Sequence, residues 1–304
     1  MINFIKKIKS FFNVGYHNQC LKEQLNYDIR NLYLIDKVLN CKDSGITNEK
    51  NDENEIIVSL TTYGKRLFDV AITIESIMQG SMKPNRIVLW LGEDMRNITL
   101  PITLQKQQNR GLEISYCKDI RSYTKLIPTL KKYPEASIIT IDDDAIYEYD
   151  LVEKLVNMHK LYPQSIIANR IHQMVLDQIG KPVSYMKWNW YANPSDSSPL
   201  NFFTGVGGVL YPPHSLHKEV FNEQVYMDIC KYADDVWFNA MALKQGTNIL
   251  KCYTHDKQGE DYLMNMNVQD IGLFKINTED KCENDEQIKA VYERYNLWEK
   301  LSSH

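Results

Sequence analysis

The chain has 304 residues, 43% of them hydrophobic and 24% charged, so it is long and apolar enough to bury a sizeable core. Its formal net charge of −4 argues against nucleic acid as a partner, because nucleic-acid-binding domains present a basic surface. The 6 cysteines form no CxxC pair, which argues against a zinc site and a disulfide framework and favours a reducing, cytoplasmic compartment. No apolar run has the length of a membrane span, and no secretion signal is visible at the start.

Residues 1–12 have the pattern of a basic amphipathic helix. Apolar residues recur at helical spacing opposite Lys6, Lys7 and Lys9; they are Phe4, Ile5, Ile8, Phe11 and Phe12. This pattern suits peripheral contact with the inner face of an anionic membrane, and it equally suits a helix that packs on its own domain or in a homo-oligomer. Residues 42–55 are polar and unpatterned, so we expect residues 1–54 to be a helical extension followed by a linker.

From residue 55 onward, short β-branched runs alternate with segments of helical periodicity. The predicted strands are residues 56–60, 86–91, 112–116 and 137–141, and the predicted helices include residues 67–79, 122–132 and 151–159. This alternation predicts an α/β fold with a largely parallel, Rossmann-like sheet. No GxGxxG motif follows the first strand, which argues against a dinucleotide cofactor.

Three consecutive aspartates, Asp142, Asp143 and Asp144, end the fourth predicted strand. Ligands of open α/β sheets bind at the carboxyl ends of the strands. Adjacent carboxylates repel one another unless a cation neutralises them, and hard oxygen ligands suit Mn²⁺ or Mg²⁺ that arrives with substrate phosphates. We therefore expect a Mn²⁺ or Mg²⁺ site here, the alternative being a solvated acidic turn.

A second acidic pair, Asp234 and Asp235, opens a predicted helix that ends at Gly246. Acidic residues in a first helical turn commonly cap the helix and offset its dipole. A buried carboxylate at the same place could instead act as the general base for a hydroxyl nucleophile.

Aromatic and glycine-rich segments precede this helix. Trp188 and Trp190 have faces that suit a sugar ring, although such aromatics more often belong to a core. The segment from Thr204 through Gly205, Gly207 and Gly208 would allow a close approach of the backbone to a ligand, or form a bulge in an edge strand.

The order of these parts over residues 56–255 resembles the GT-A glycosyltransferases, especially bacterial family 2-like enzymes that build capsular and lipopolysaccharide sugars. The resemblance implies a GT-A catalytic domain over residues 55–259. Beyond it, apolar residues at helical spacing predict a helix over residues 285–301, within a C-terminal helical segment over residues 260–304 that would dock on the domain or on another subunit. The resemblance further implies a metal-dependent, inverting transfer of a sugar from a nucleotide sugar, a UDP-sugar, to a hydroxyl of a glycan or lipid-linked acceptor.

The resemblance also implies roles for individual residues. Asp144 and Asp142, with His255, would hold the metal; Asp235, beside Asp234, would be the base; and Thr204 to Gly208 would line the acceptor side. The residues expected near the nucleotide sugar are Thr61, Thr62, Tyr63, Asp94, Arg121, Lys125, Asp142 and Asp143.

Two other classes stay open on the sequence. A sugar-nucleotide phosphohydrolase or nucleotidyltransferase would also use carboxylates with Mg²⁺ and phosphates. In a non-catalytic carbohydrate-binding member of an assembly complex, the aspartates would be structural.

Overall fold

The structure, a computed structural model, describes residues 2–49, 52–255, 261–265 and 283–301. The side chains of residues 2–17, 19 and 283 lie outside this description, and with them the apolar and lysine faces predicted for residues 1–12. Membrane contact through residues 1–12 therefore stays a prediction.

Twelve strands occur in the described part of the chain. They are β1 Ile56–Thr61, β2 Arg86–Gly92, β3 Leu112–Cys117, β4 Ser137–Thr140, β5 Ala145–Tyr147, β6 Ile166–Ala168, β7 Ile171–Gln173, β8 Asn189–Ala192, β9 Asn201–Phe203, β10 Val209–Tyr211, β11 Ile249–Lys251 and β12 Tyr262–Met264. All four strands predicted from β-branched runs are present as β1 to β4.

The helices of the same residues flank these strands. They are α1 Ile2–Asn40, α2 Val70–Met78, α3 Ile102–Gln108, α4 Ile127–Lys132, α5 Leu151–Leu161, α6 Glu223–Ile229, α7 Asp234–Gln245, α8 Glu283–Arg294 and α9 Trp298–Leu301. None of the described helices is long and apolar enough to cross a membrane.

The central sheet has seven strands in the order β11-β6-β10-β4-β1-β2-β3, and β10 alone among them runs antiparallel to its neighbours. Both faces of the sheet are buried, in two apolar clusters, as is usual for a parallel sheet covered by helices. The structure thus confirms the predicted mixed α/β fold with a mostly parallel, Rossmann-like sheet. A three-stranded sheet, β8-β7-β9, and the pair β12-β5 complete the fold.

The order in which strands are added to the sheet reverses at β1, whose two neighbours β2 and β4 lie on opposite sides. From β1 the chain adds β2 and then β3 on one side, whereas β4 pairs with β1 on the other side. Such a switch point opens a crevice at the carboxyl ends of the two strands. The triplet Asp142–Asp144 follows β4 and Thr62 follows β1, so both lie at this crevice.

The C-terminal segment differs in two ways from the predicted helix over residues 285–301. Asn296 adopts a left-handed conformation, with φ of 52°, so the segment is divided into α8 and α9. In the same segment, residues 262–264 form β12, which pairs with β5. Ile288, Val291 and Tyr292 are buried, which shows that α8 docks on its own domain.

Candidate functional site

Asp143, the middle member of the triplet, is held inside the protein. Its carboxylate accepts a hydrogen bond from the Thr62 hydroxyl at 2.6 Å and from the Arg66 guanidinium at 2.8 Å. Burial raises the pKa of Asp143 above its ordinary value, and Arg66 and Thr62 oppose that rise. Because both carboxylate oxygens are engaged, Asp143 ties the end of β4 to the end of β1.

Arg66 also binds Asp144, with 3.0 Å between its Nη2 atom and Asp144 Oδ2. The three side chains are at most 12% exposed, so this is a buried ion cluster. Arg66 belongs to the 3₁₀ turn Gly64–Phe68 that directly follows β1. The sequence analysis did not select Arg66, although its position just after the first strand was a usable signal.

Lys125 joins the aspartate triplet to the acidic start of α7. Its Nζ atom lies 2.8 Å from Asp142 Oδ1 and 3.0 Å from Asp234 Oδ2. Burial alone would lower the pKa of this amine, but Asp142, Asp234 and Asp235 raise it well above its usual value. Lys125, expected near a diphosphate, is therefore charged and fixed between two acidic groups that are far apart in the chain.

Asp235, the candidate base, lies beside this cluster and is only partly buried. Its Oδ1 atom accepts a hydrogen bond from the backbone N–H of Gly205 at 3.0 Å. A Cβ atom on Gly205 would lie 2.8 Å from Lys125 Nζ and 3.1 Å from Asp235 Oδ1, so a larger residue here would displace one of these two charged groups. Burial, and then the neighbouring charge of Asp234, raises the pKa of Asp235 to about 7.

The glycine segment reaches the site because β10 is antiparallel. Val209, its first residue, pairs with Thr140, the last residue of β4, so residues 204–208 lie at the same edge of the sheet as the triplet. Gly208 has φ of +90°, a conformation that favours glycine, and its N–H donates to the Gly205 carbonyl. Of the proposed acceptor residues, this segment is the part that contacts the acidic cluster.

Carboxylates outnumber cationic side chains at this edge of the sheet. Lys125 and Arg66 form ion pairs with four carboxylates, those of Asp142, Asp143, Asp144 and Asp234, and the charge of Asp235 also acts on Lys125. A bound divalent cation would offset the repulsion among these neighbouring carboxylates. No cluster of three or more His, Cys, Asp or Glu among the described residues is arranged to hold a metal by itself. A Mn²⁺ or Mg²⁺ ion at this edge would therefore need substrate phosphates as ligands beside one or two carboxylates, the usual coordination of Mg²⁺ at phosphate sites.

His255, expected to bind the metal, is engaged elsewhere. Its Nε2 atom lies 2.8 Å from Asp150 Oδ2, and this partner raises the pKa of the exposed imidazole. Asp150 precedes α5, and its side chain makes no capping hydrogen bond to the helix. A metal-binding role for His255 would need the imidazole to leave Asp150.

Four other expected donor-side residues lie around the crevice rather than in the acidic cluster. The Arg121 guanidinium stacks on Tyr232, with 4.9 Å to the ring centroid. Asp94 is exposed just after β2, and Tyr63 is 62% exposed. The Thr61 hydroxyl donates to the Trp90 carbonyl.

The two tryptophans belong to the body of the protein. Trp188 is 5% exposed, and its indole N–H donates to the Val183 carbonyl, so it presents no face to a sugar in this conformation. Trp190 is partly exposed and stacks on His172, with 5.0 Å between ring centroids. The alternative in which such aromatics form core accounts for Trp188.

Tyr185 and Arg170 are neighbours of Asp235 that the sequence analysis did not select. Burial raises the pKa of the Tyr185 hydroxyl, Asp235 raises it further, and Arg170 lowers it, so the charges of both residues act on the phenol. Arg170 follows β6 at the same edge and packs against Gly207. Neither residue belongs to a recognisable motif, so only the fold could have revealed them.

Comparisons with known proteins add little to this description. No family model and no curated protein matches the chain. Among solved structures, it is similar to CMP:2-keto-3-deoxy-manno-octonic acid synthetase in complex with CTP, with 12% identity over 65% of this chain and 88% of that chain, and a TM-score of 0.36. A likeness this weak says nothing about activity, so the fold assignment rests on the strand order described above.

The Arg66 ion cluster predicts a specific loss of stability. Arg66→Met leaves Asp143 and Asp144 buried without their cation, and removing one partner of a buried pair costs about 3–5 kcal/mol. The loss should grow as pH rises, since unpaired buried carboxylates have raised pKa values and cost most when ionised. Urea unfolding at several pH values measures it.

Arg96→Met is the matched control, because Arg96 pairs with Glu93 on the surface, where both side chains are more than half exposed. It should leave the free energy of unfolding nearly unchanged, because water and salt screen an exposed pair. Equal effects of the two substitutions would contradict a buried cluster.

Proposed function

We propose that the protein is a glycosyltransferase that moves a sugar from a nucleotide sugar, a UDP-sugar, to a hydroxyl of a glycan or lipid-linked acceptor in bacterial surface polysaccharide synthesis. The observation that carries the proposal is the ion pairing of Lys125 with both Asp142 and Asp234. Through Lys125, the carboxylates after β4 and those at the start of α7 lie around one crevice. Sugar transfer needs this arrangement, because the groups that bind the donor and the groups that activate the acceptor must lie on either side of the same anomeric carbon.

In this proposal Asp144 and Asp142 would hold Mn²⁺ or Mg²⁺ together with the donor diphosphate. The bound ion would stabilise the negative charge of the nucleoside diphosphate leaving group. Lys125 keeps Asp142 oriented, and Arg66 does the same for Asp144. Asp143 serves the site indirectly, by fixing the end of β4 to Thr62.

Asp235 acts as the general base. It removes the proton of the acceptor hydroxyl while the hydroxyl oxygen bonds to the anomeric carbon and the bond from that carbon to the diphosphate breaks. A base on the acceptor side implies attack opposite the leaving group and hence inversion. A pKa of about 7 suits this role. Near neutral pH, a group with this pKa is deprotonated in a large fraction of molecules and is still basic enough to accept a proton.

One observation favours a second candidate, a sugar nucleotidyltransferase. Nucleotidyltransferases of related fold usually carry an N-terminal glycine- and arginine-rich phosphate loop. Residues 61–66 are a faint approximation to it, and Gly64, Lys65 and Arg66 lie in the turn after β1. Arg66 is engaged by Asp143 and Asp144, which makes it less suited to binding a triphosphate. The glycosyltransferase therefore remains the preferred function.

A panel of nucleotide sugars with Mn²⁺ separates the candidates. A glycosyltransferase releases nucleoside diphosphate and free sugar slowly without acceptor, whereas a nucleotidyltransferase forms pyrophosphate from nucleoside triphosphate and sugar. Asp144→Asn should abolish release and Mn²⁺-dependent UDP binding. Unchanged Mn²⁺-dependent UDP affinity in a folded Asp144→Asn variant would remove Asp144 from the site.

The base assignment predicts a kinetic loss with a pH signature. Asp235→Asn should lower turnover roughly 10²–10⁴-fold with donor binding retained. In the wild type, kcat should rise as pH increases through about 7, because Asp235 must be ionised to accept a proton. Initial rates between pH 5 and 9 measure this.

Thermal stability distinguishes the loss of a general base in Asp235→Asn from the loss of a helix cap. The pKa of Asp235 is higher in the folded protein than in the unfolded chain, so its ionised form destabilises the fold above pH 7. The Asp235→Asn variant should therefore melt at or above the wild-type temperature at pH 8. Glu223→Gln, in the first turn of α6, is a control for helix-dipole loss and should leave turnover unchanged. Near-normal turnover of Asp235→Asn would overturn the assignment.

A further inference from the structure

The helix α1 carries an exposed apolar stripe that the proposed function does not use. Five large aliphatic side chains on it are between 41% and 68% exposed: Leu21, Leu25, Ile29, Leu32 and Leu39. At 100° per residue, they share one side of the helix. These residues form an apolar surface, interrupted by Asp36, rather than scattered exposed residues.

The opposite side of α1 is already covered by the domain. Tyr27, Leu34 and Val38 are at most 6% exposed, and Tyr27 and Leu34 pack with Ile72 of α2 and Ile146 of β5. A helix with apolar side chains on two opposite sides is usually packed against other protein on both sides. Something must therefore cover the stripe in solution.

The spacing of the stripe indicates that its partner is a helix. Leu25, Leu32 and Leu39 are seven residues apart, and a seven-residue repeat keeps one seam of a helix against another helix. Asp28 and Asp36 border the seam, where an anionic lipid surface would repel them. The stripe therefore differs from the lysine-rich residues 1–12, for which a membrane was the alternative.

We propose that α1 pairs with α1 of a second copy of the chain, antiparallel, about a twofold axis near Ile29. This register places Ile29 against the partner's Ile29 and Leu25 beside the partner's Leu32. It also places Lys22 near the partner's Asp36, and the twofold axis repeats this ion pair at the other end. A parallel pair would instead set Asp28 and Asp36 against their own copies, and like charges repel.

The mass of the protein in solution tests the pairing. Sedimentation over a range of concentrations should give a dimer for the wild type, and the Leu25→Glu, Leu32→Glu double variant should weaken it about 100-fold or more, since it buries charge in the seam. Leu161→Glu is the matched control, because Leu161 is 72% exposed at the end of α5, off the stripe. It should leave the dimer intact.

The test does not depend on the proposed function, because it measures only the mass and the folding of the variants. The stripe lies on the side of α1 that faces away from the domain, so the monomeric double variant should retain its circular dichroism and its melting transition. A wild type that is monomeric at all concentrations, or a dimer unchanged by the double variant, would overturn the proposal. So would loss of binding to phosphatidylglycerol vesicles with no change in mass, which would assign the stripe to a membrane.

Cysteine crosslinking tests the register. In a Cys20→Ser, Cys41→Ser background, Ile29→Cys should form a disulfide-linked dimer on mild oxidation, because the two positions meet at the axis. Leu39→Cys should not, since the two copies of residue 39 would be about 30 Å apart along antiparallel helices. Crosslinking of both variants would show a parallel pair and overturn the antiparallel arrangement.

Discussion

A buried ammonium group, that of Lys125, constrains the whole carboxyl edge of the sheet. A charge removed from water needs carboxylates around it, and here they come from the end of β4 and the start of α7. Gly205 lies against the same amine and donates its backbone N–H to Asp235. Residues separated by more than a hundred positions thus form one acidic crevice, and Lys125 is the cation that joins its two parts.

Arg66 forms a second anchor at the same edge, and together the two cations divide the acidic residues by role. Asp143 is fully occupied by Thr62 and Arg66, so it holds the switch point between β1 and β4 together. Asp235 accepts one backbone hydrogen bond and keeps a raised pKa, which leaves it able to exchange a proton near neutral pH. Neighbouring carboxylates therefore differ in chemistry because their cations and burial differ.

The sequence predicted the parts of this arrangement that depend on local pattern. The β-branched runs became β1 to β4, and the aspartates after β4 and at the start of α7 lie in one place. It did not reveal Tyr185, whose surroundings only the folded chain creates, and it passed over Arg66, although the position of Arg66 after the first strand was a usable signal. The C-terminal helix was predicted without its break at Asn296, because a single left-handed residue leaves no mark on apolar periodicity.

The most direct test of this account is a crystal structure of the protein with UDP and Mn²⁺. The account predicts that the diphosphate and the metal bind at the edge formed by Asp142 and Asp144, with Lys125 still between Asp142 and Asp234 and with Asp235 open to the opposite side. Binding of UDP away from this edge, or a structure in which Asp235 faces away from the nucleotide site, would contradict it.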